Sequence, residues 1–450
     1  MTVKATADSC NSIKVSWTPG RAVSSVRRNE GASSRSFAPI PAGASWWEDI
    51  PVPCLHTYTY TVLFQAGGSD GPSNQVRISV CCRTGNSTYL TAIGQTTSES
   101  DFGSFAFLDP FGDSVLVYLH DPGEIVEESW RLRQKLDLFP NMAVRDTSLS
   151  LIQSSLGTLE AIVRVTPLQG GGNDSLLGYE FRSETGWEGP VHLVADDGPL
   201  DRVTGSQAFI QSDRNSQDQF ELLVPRKAEI FHYKKEVTGI TEGPWEFVAK
   251  LPPLQGGLQV TAVSFLQSSP SELVAIARVS PPNPGYDVLL GYVFDQVNGW
   301  QGPLELKSDQ GPIDVVTGSH AFIQSGENAF ELVVPRETLI QSPEGVSKAT
   351  GLFHYRLENQ KFQEGIWSFV NTFVPPRNDE LIQSTSLALT HNTLGHLELV
   401  VRMRPPLGED FMVGYVLDQE IDISPPPFEL LDENGQSIIA RDSSTLYLQP

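Results

Sequence analysis

Arginine and tryptophan recur at matching positions through most of this sequence, and both residue types can hold a polar ligand that also has an apolar face. A guanidinium donates hydrogen bonds to oxygen atoms, and an indole ring offers a flat surface on which a ligand ring can stack. The candidate ligand-binding residues are Trp187, Trp300, Arg164, Arg278, Trp245, Trp367, Arg226 and Arg336. Their recurrence predicts several similar sites rather than a single one.

A structural role is the alternative for each of these residues. An arginine among apolar strands needs partners, and glutamates that recur nearby could form ion pairs with it. These glutamates are Glu160, Glu221, Glu331 and Glu398. The tryptophans could be packing anchors, and two histidines at equivalent positions, His232 and His354, could be core residues copied with the repeat.

Signatures of catalysis and of metal binding are missing from the sequence. It contains no Gly-x-Ser-x-Gly, His-Glu-x-x-His, P-loop or dinucleotide-binding glycine pattern, and no EF-hand-type calcium loop. Asp109, Asp113, Asp196 and Asp197 could bind a cation, but aspartates in such segments are more typical of turns. We therefore predict no catalytic residue, no metal and no cofactor, and we leave enzymatic activity open while favouring its absence.

Internal repetition is the strongest signal for the elements that must position these residues. VTGSQAFIQS begins at Val203, and VTGSHAFIQS begins at Val316, 113 residues later. LLGYEF at Leu176 and GWEGPVHL at Gly186 recur with the same offset as LLGYVF and GWQGPLEL. Three matches at one offset indicate a duplicated structural unit.

A shorter repeat of about 55–60 residues lies within this unit and contains four short apolar runs, which is typical of a β-propeller blade. The runs are nearly continuous, as expected when both faces of a strand are buried. We predict an all-β protein with a propeller over residues 85–450, made of six four-stranded blades and closed by Leu446–Gln449. A seven-bladed ring completed by residues 85–100 and 445–450 is the alternative.

Residues 1–84 form a separate predicted domain. Apolar and polar residues alternate in Ile13–Trp17, and the segment WEDIPVPCLHTYTYTV leads to a glycine-rich turn and a last strand, Gln75–Val80. This order resembles a fibronectin type III domain over its whole length. The resemblance implies a β-sandwich in which Trp17 and Tyr60 are core residues and Tyr58 is the corner tyrosine. It also implies a docking role toward a protein partner.

Charge and cysteine content bear on partners and location. The chain carries a net charge of −23, and residues after 84 hold 23 basic and 49 acidic side chains, so nucleic acid and membrane insertion are not expected. The four cysteines, Cys10, Cys54, Cys81 and Cys82, show no zinc spacing, and their disulfide state stays open. No signal peptide is visible, so the location stays open, with an extracellular one slightly favoured.

In architecture and residue types the repeat region resembles multivalent propeller lectins. The spacing departs from that of the six-bladed fucose-binding lectins, so the resemblance implies carbohydrate as a ligand class and no particular sugar. We therefore predict a non-enzymatic recognition protein that binds glycans at repeated sites. The alternatives are a hydrolase or lyase with a site at the central mouth of the propeller, and a protein-docking scaffold.

Overall fold

A computed structural model describes residues 131–373 except 157, 169–171, 183–184, 214–217, 283–284, 327, 343–344 and 359. Elsewhere it describes Ile40 and the strands given below. Every described element is a β-strand. By internal contacts the chain divides into two compact units, Met1–Arg83 with His391–His396, and Thr84–Thr390 with Leu397–Pro450.

The first unit contains two main antiparallel sheets. Its strands are β1 (Val3–Ser9), β2 (Ser12–Trp17), β3 (Val23–Glu30), β4 (Ser33–Phe37), β5 (Trp46–Asp49), β6 (Thr57–Ala66), β7 (Ser69–Asp70) and β8 (Asn74–Ser79). One sheet has the order β1-β2-β5, and the other has the order β4-β3-β6-β7 with β8 also paired to β6. These pairings establish two antiparallel sheets and do not by themselves establish the predicted fibronectin type III sandwich. The side chains of Trp17, Tyr58, Tyr60 and the four cysteines lie outside the described set.

The first three sheets of the second unit are four-stranded. The first contains β9 (Thr91–Ile93), β10 (Phe105–Phe111), β11 (Ser114–His120) and β12 (Arg131–Asp137). The second contains β13 (Met142–Gln153), β14 (Leu159–Pro167), β15 (Ser175–Arg182) and β16 (Gly186–His192). After the two-residue strands β17 (Val194–Ala195) and β18 (Gly198–Pro199), the third contains β19 (Ala208–Ser212), β20 (Gln219–Arg226), β21 (Glu229–Glu236) and β22 (Glu246–Lys250).

The same pattern then repeats. The fourth sheet contains β23 (Gln259–Ser269), β24 (Glu272–Ser280), β25 (Val288–Asp295) and β26 (Gly299–Glu305). After β27 (Lys307–Ser308) and β28 (Gly311–Pro312), the fifth contains β29 (Ala321–Gly326), β30 (Ala329–Ser342), β31 (Gly345–Glu358) and β32 (Ser368–Phe373). The last contains β33 (Gln383–His391), β34 (Leu397–Arg404), β35 (Asp410–Leu417), β36 (Phe428–Glu429) and β37 (Ile439–Ala440).

These sheets confirm an all-β protein with a β-propeller arrangement and correct the predicted number of blades. Five of the sheets are four-stranded antiparallel blades. The last repeat differs, because β36 and β37 both pair with β35 and make the sheet five-stranded. The predicted counts of six and of seven regular blades are therefore not supported. The predicted closing strand, residues 446–449, lies outside the described part of the chain.

Hydrophobic cores lie between consecutive sheets and explain why the apolar runs are continuous. The strands β14, β20 and β24 are buried along nearly their whole length. One core contains side chains from the second and third sheets, including Leu176, Phe209 and Trp245. Equivalent cores follow at each later junction between neighbouring sheets. The inner strands β14, β20 and β24 therefore have apolar neighbours on both faces, whereas the fourth strands β16, β22 and β32 are half-buried or exposed along nearly their whole length.

The recurring VTGS sequence connects neighbouring blades through its main chain. Ser206 forms a parallel bridge to Ala262 in β23. A Cβ atom added to Gly205 would lie 2.7 Å from the carbonyl oxygen of Thr261. Only glycine therefore allows the connecting segment to approach the next blade so closely.

The glutamine of the recurring Ile-Gln-Ser or Leu-Gln-Ser sequence also links neighbouring blades. Gln211 accepts a hydrogen bond from the Ser155 amide at 2.8 Å and donates one to the Ser155 hydroxyl at 2.7 Å. Gln267 accepts from the Asp213 amide at 3.0 Å and donates to the Asp213 carboxylate at 2.6 Å. We call these contacts the glutamine clasps. They explain why glutamine recurs beside buried apolar residues.

Replacing Gln267 by alanine should destabilise the second unit. The change leaves the Asp213 amide without its side-chain acceptor, so we expect a loss of about 1–3 kcal/mol in the free energy of unfolding. Thermal unfolding should show this as a fall of a few degrees in the melting temperature. The exposed Gln310→Ala is the matched control and should leave the transition in place. Equal melting temperatures for both variants would contradict a stabilising role for the clasp.

Candidate functional site

Four of the eight predicted site residues are tryptophans, and most of them are packing residues. Trp245 and Trp367 are fully buried. Each lies beside a phenylalanine of its own blade in an edge-to-face arrangement. Each also forms a parallel bridge with the connecting segment before its blade, at Ala195 and Ser308 respectively. Their indole faces are thus used by the core.

Trp300 and Trp187 occupy equivalent positions but have different surroundings. Trp300 is 8% exposed, and its indole N–H donates a hydrogen bond to His232 Nδ1 at 3.2 Å. His232 Nδ1 is therefore an acceptor, so the ring proton is on Nε2, which lies 2.6 Å from the Glu221 carboxylate. Trp187 is half-buried and packs against Phe181 at a centroid distance of 5.6 Å.

His354 repeats the histidine–glutamate contact in the fifth sheet. Its Nε2 lies 2.6 Å from Glu331, which also accepts a hydrogen bond from Arg356 at 2.7 Å. His232 and His354 are both buried, as expected for histidines duplicated with the repeat. In the last repeat Phe428 is paired with Gly414, as Leu304 is paired with the equivalent Gly291, so Phe428 does not occupy the position of Trp300.

Arg164 and Arg278 form ion pairs that the sequence did not identify. Arg164 Nε and Nη2 lie 3.0 and 2.6 Å from Asp174 Oδ2. Arg278 Nε lies 2.6 Å from Asp287 Oδ2 in the equivalent blade. The partners are aspartates just before the third strand, so the prediction that recurring glutamates pair with these two arginines was wrong. Glu160 lies four residues before Arg164 and accepts a hydrogen bond from Thr158, and the position four residues before Arg278 is Val274.

Arg226 and Arg336 are placed differently. Arg226 is the last residue of β20, and Arg336 lies within β30; both lie where the sheet meets the connecting segment. Arg226 Nε donates to the Asp201 carbonyl at 3.0 Å, and Nη2 donates to the Pro199 carbonyl at 3.3 Å. Its guanidinium carbon lies 4.7 Å from the centroid of the Phe231 ring and 5.8 Å from that of Tyr233. We call Arg226, Asp201, Phe231, Tyr233 and Phe247 the Arg226 cluster.

The fifth sheet repeats this arrangement in the Arg336 cluster, which consists of Arg336, Asp314, Phe353, Tyr355 and Phe369. Arg336 Nε donates to the Asp314 carbonyl at 2.7 Å, and Nη2 lies 3.1 Å from the Asp314 carboxylate. Arg336 also donates to the Tyr355 hydroxyl. Its guanidinium carbon lies 5.3 Å from the Phe353 ring centroid.

The aromatic rings of the two clusters have matching geometry. Tyr233 and Phe247 are 5.8 Å apart at 67°, and Tyr355 and Phe369 are 6.0 Å apart at 68°. The pKa of Tyr233 is raised to about 12, mainly by burial; Arg226 opposes the shift and Asp197 adds to it. Burial also raises the pKa of Tyr355 against the opposing effect of Arg336. Both hydroxyl groups therefore stay protonated at neutral pH.

The two clusters offer the functional groups that bind hydroxylated ligands. Each combines a partly exposed guanidinium with a half-buried phenylalanine, and each has a fully buried tyrosine beside them. Sequence analysis identified the arginines but missed Phe231 and Phe353. The Phe-His-Tyr sequence contained the signal, because residues on either side of a strand histidine lie on the opposite face from it.

A second group of charged residues lies near the junction of the second and third sheets. Glu160 and Glu180 are buried cross-strand partners. Glu160 accepts a hydrogen bond from the Thr158 hydroxyl at 2.7 Å, and Glu180 accepts one from Arg182 at 2.5 Å. Nearby, Lys235 donates to the Gly243 carbonyl at 3.1 Å and lines a cavity of about 370 Å³. Burial lowers the pKa of Lys235.

Neither a metal-binding group nor a membrane-spanning helix occurs in the part of the chain that the structure describes. No group of three or more His, Cys, Asp or Glu side chains among the described residues could hold a metal ion. Within the same residues, no helix is long and apolar enough to cross a membrane.

Comparison with known proteins gives matches in structure but not in sequence. No protein-family model and no curated protein matches the chain. A protein of unknown function from Dyadobacter fermentans matches with a TM-score of 0.44 and 12% identity, over 74% of this chain and 94% of that one. AofleA from Arthrobotrys oligospora matches with a TM-score of 0.37 and 13% identity, over 69% of this chain and 80% of that one. A triple arginine-to-alanine mutant of AofleA matches with a TM-score of 0.29 and 10% identity, over 61% and 85%.

Replacing Glu160 by glutamine should stabilise the protein in a pH-dependent way. Burial raises the pKa of Glu160 from 4.5 to about 8 in the folded state, so folding takes up a proton between these values. The contribution of Glu160 to stability therefore falls as the pH rises from about 4.5 to about 8. We expect Glu160→Gln to melt several degrees higher than the wild type at pH 8 and at nearly the same temperature at pH 4.

The matched control for this prediction is Glu188→Gln, which removes the same charge from an exposed position in β16. Thermal unfolding of the three proteins between pH 4 and pH 8 gives the comparison. An advantage of Glu160→Gln that is equal at both ends of this range would contradict the assigned burial effect.

Proposed function

We propose that the protein is a non-enzymatic, glycan-binding β-propeller with repeated sites at the Arg226 and Arg336 clusters. The observation that carries this proposal is the duplication of one arginine–phenylalanine–tyrosine arrangement in two blades. In each site the guanidinium hydrogen-bonds sugar hydroxyl groups, while the tyrosine, which is fully buried, belongs to the framework of the site and does not contact the ligand. The neighbouring aromatic residues contact the apolar face of the sugar ring.

Four of the other predicted residues, Trp245, Trp367, Arg164 and Arg278, do not contact the ligand in this proposal. Trp245 and Trp367 anchor the connecting segments whose carbonyl groups hold Arg226 and Arg336. Arg164 and Arg278 are left out of the proposed sites because aspartates already engage their guanidinium groups. Two sites on one rigid scaffold would bind a multivalent glycan surface more tightly than either site alone.

The test is binding of the full chain to a glycan array, comparing the wild type with Arg226→Ala, Arg336→Ala and the double variant. We expect each single variant to lose part of the binding and the double variant to lose at least about tenfold, because hydrogen bonds worth about 1.4 kcal/mol or more are removed. Lys307→Ala is the control, since it removes one positive charge from a side chain that is 62% exposed.

Circular dichroism and thermal unfolding of each variant separate loss of binding from loss of fold. A wild type that binds no glycan, or a folded double variant that binds as well as the wild type, would refute the proposed function. In that case a protein-docking scaffold becomes the better explanation.

We also propose that residues 1–84 are a fibronectin type III-like domain that docks a protein partner. The order β1-β2-β5 in one sheet and β4-β3-β6-β8 in the other supports this assignment. A fragment of residues 1–84 should unfold cooperatively on heating, since it would carry its own core. A broad, non-cooperative transition would reject an independent domain.

A further inference from the structure

The Arg226 cluster contains a second cation at its solvent edge. Phe231 is paired with Lys250 across β21 and β22. The Lys250 ammonium lies 4.6 Å from the Phe231 ring centroid, and the Arg226 guanidinium carbon lies 4.7 Å from it. Lys250 also donates to Glu229 at 2.9 Å, but both side chains are nearly half exposed, so this surface pair is weak and can open. Two cations therefore contact one aromatic ring.

Two more basic residues follow this cluster directly in the chain. Arg202 and Lys227 are exposed, and they come immediately after Asp201 and Arg226. Both have left-handed backbone conformations, with φ of 57° and 59°. Together with Lys250, they add three basic residues in or next to the Arg226 cluster in the chain, in a protein whose net charge is −23.

The equivalent positions of the Arg336 cluster lack these cations. Val315 stands where the first site has Arg202, with a matching φ of 59°. Glu337 follows Arg336, as Lys227 follows Arg226. Thr372 is paired with Phe353 as Lys250 is paired with Phe231. Three basic residues are thus replaced by one acidic and two neutral residues.

The ring of Phe353 also has more space beside it. Gly351 is paired with Arg336 in the position that Glu229 holds opposite Arg226. A Cβ atom at Gly351 would lie 3.0 Å from Thr372 Cγ2 and 3.3 Å from Phe353 Cε2. Glycine therefore keeps side-chain atoms away from the edge of this ring.

The charge of Arg336 is also balanced within its own cluster. The Asp314 carboxylate lies 3.1 Å from Arg336 Nη2. In the Arg226 cluster the corresponding aspartate, Asp201, contacts the arginine through its carbonyl oxygen. Among the ion pairs of the described residues, none joins Arg226 to a carboxylate. Arg226 can therefore form a charge-assisted hydrogen bond with an anion, whereas Arg336 is already paired.

We infer that the two sites bind different classes of saccharide: the Arg226 cluster takes an acidic sugar with a carboxylate or sulfate group, and the Arg336 cluster takes a neutral sugar. This inference rests on the proposed glycan-binding function. In the Arg226 cluster, Arg226 and Lys250, which both lie over Phe231, hold the anionic group. In the Arg336 cluster, a neutral ring packs against Phe353 and accepts hydrogen bonds from Arg336.

The test uses the full chain on an array that carries neutral, uronate-containing and sulfated oligosaccharides. Lys250→Thr copies the neutral site into the acidic one, and we expect it to weaken binding to acidic glycans about tenfold while neutral binding stays unchanged. Arg336→Ala should have the opposite selectivity. Raising the salt concentration should weaken acidic binding more than neutral binding, since ions screen exposed charges.

The control is Lys307→Thr, the same replacement at an exposed lysine outside both clusters, and it should change neither signal. Parallel loss of acidic and neutral binding in Lys250→Thr and in Arg336→Ala would overturn the inference, as would a wild type that binds only one class. These results leave glycan binding itself intact. A wild type that binds no glycan would instead refute the proposed function together with this inference.

Discussion

Burial of both faces of each blade is the constraint on which the rest of the structure depends. A four-stranded sheet with two apolar faces is stable in water only when neighbouring sheets cover it, and the cores between consecutive sheets provide this cover. Large aromatic residues such as Trp245 and Tyr292 are fully buried there. Truncating such a residue would cost about 3–5 kcal/mol, which makes each junction a major contribution to the stability of the unit.

This packing brings polar groups into the interior, where each must find a partner. Recurring contacts meet that requirement. The glutamine clasps connect consecutive blades, buried histidines lie against buried glutamates, and Arg164 and Arg278 lie against aspartates. Because a repeat is duplicated together with the residues that its polar side chains contact, the same hydrogen bonds and ion pairs appear in alternate blades. Recurrence of a polar residue in this chain is therefore often a sign of packing rather than of ligand binding.

The Arg226 and Arg336 clusters lie at the edge of the apolar cores between neighbouring sheets. Arg226 and Arg336 are held by carbonyl groups of the connecting segments, which are themselves fixed by the buried Trp245 and Trp367. The framework of each site is thus determined by the core, while residues at its solvent edge, such as Lys250 and Thr372, can change without disturbing the fold. Such a scaffold allows two copies of one site to acquire different ligand preferences.

The sequence by itself determined the fold class and the repeat, because apolar runs and exact recurrence at an offset of 113 residues reflect burial directly. It also gave Arg226 and Arg336 as candidates, and both belong to the sites that we propose. It could not determine the number of regular blades, since the pairing of β36 and β37 with β35 depends on hydrogen bonds between distant segments.

The tertiary structure alone decided what each recurring residue does. Periodicity shows which residues occupy equivalent positions, but a side chain's partner usually comes from another strand or blade. Asp174 lies beside Arg164 across a hairpin, and Trp300 donates its N–H to His232 in the neighbouring sheet. Phe353 is separated from Arg336 by the long β30–β31 hairpin, yet the two side chains meet because that hairpin folds back in register. Contacts of this kind depend on how distant strands are brought together in space, and sequence spacing does not contain that information.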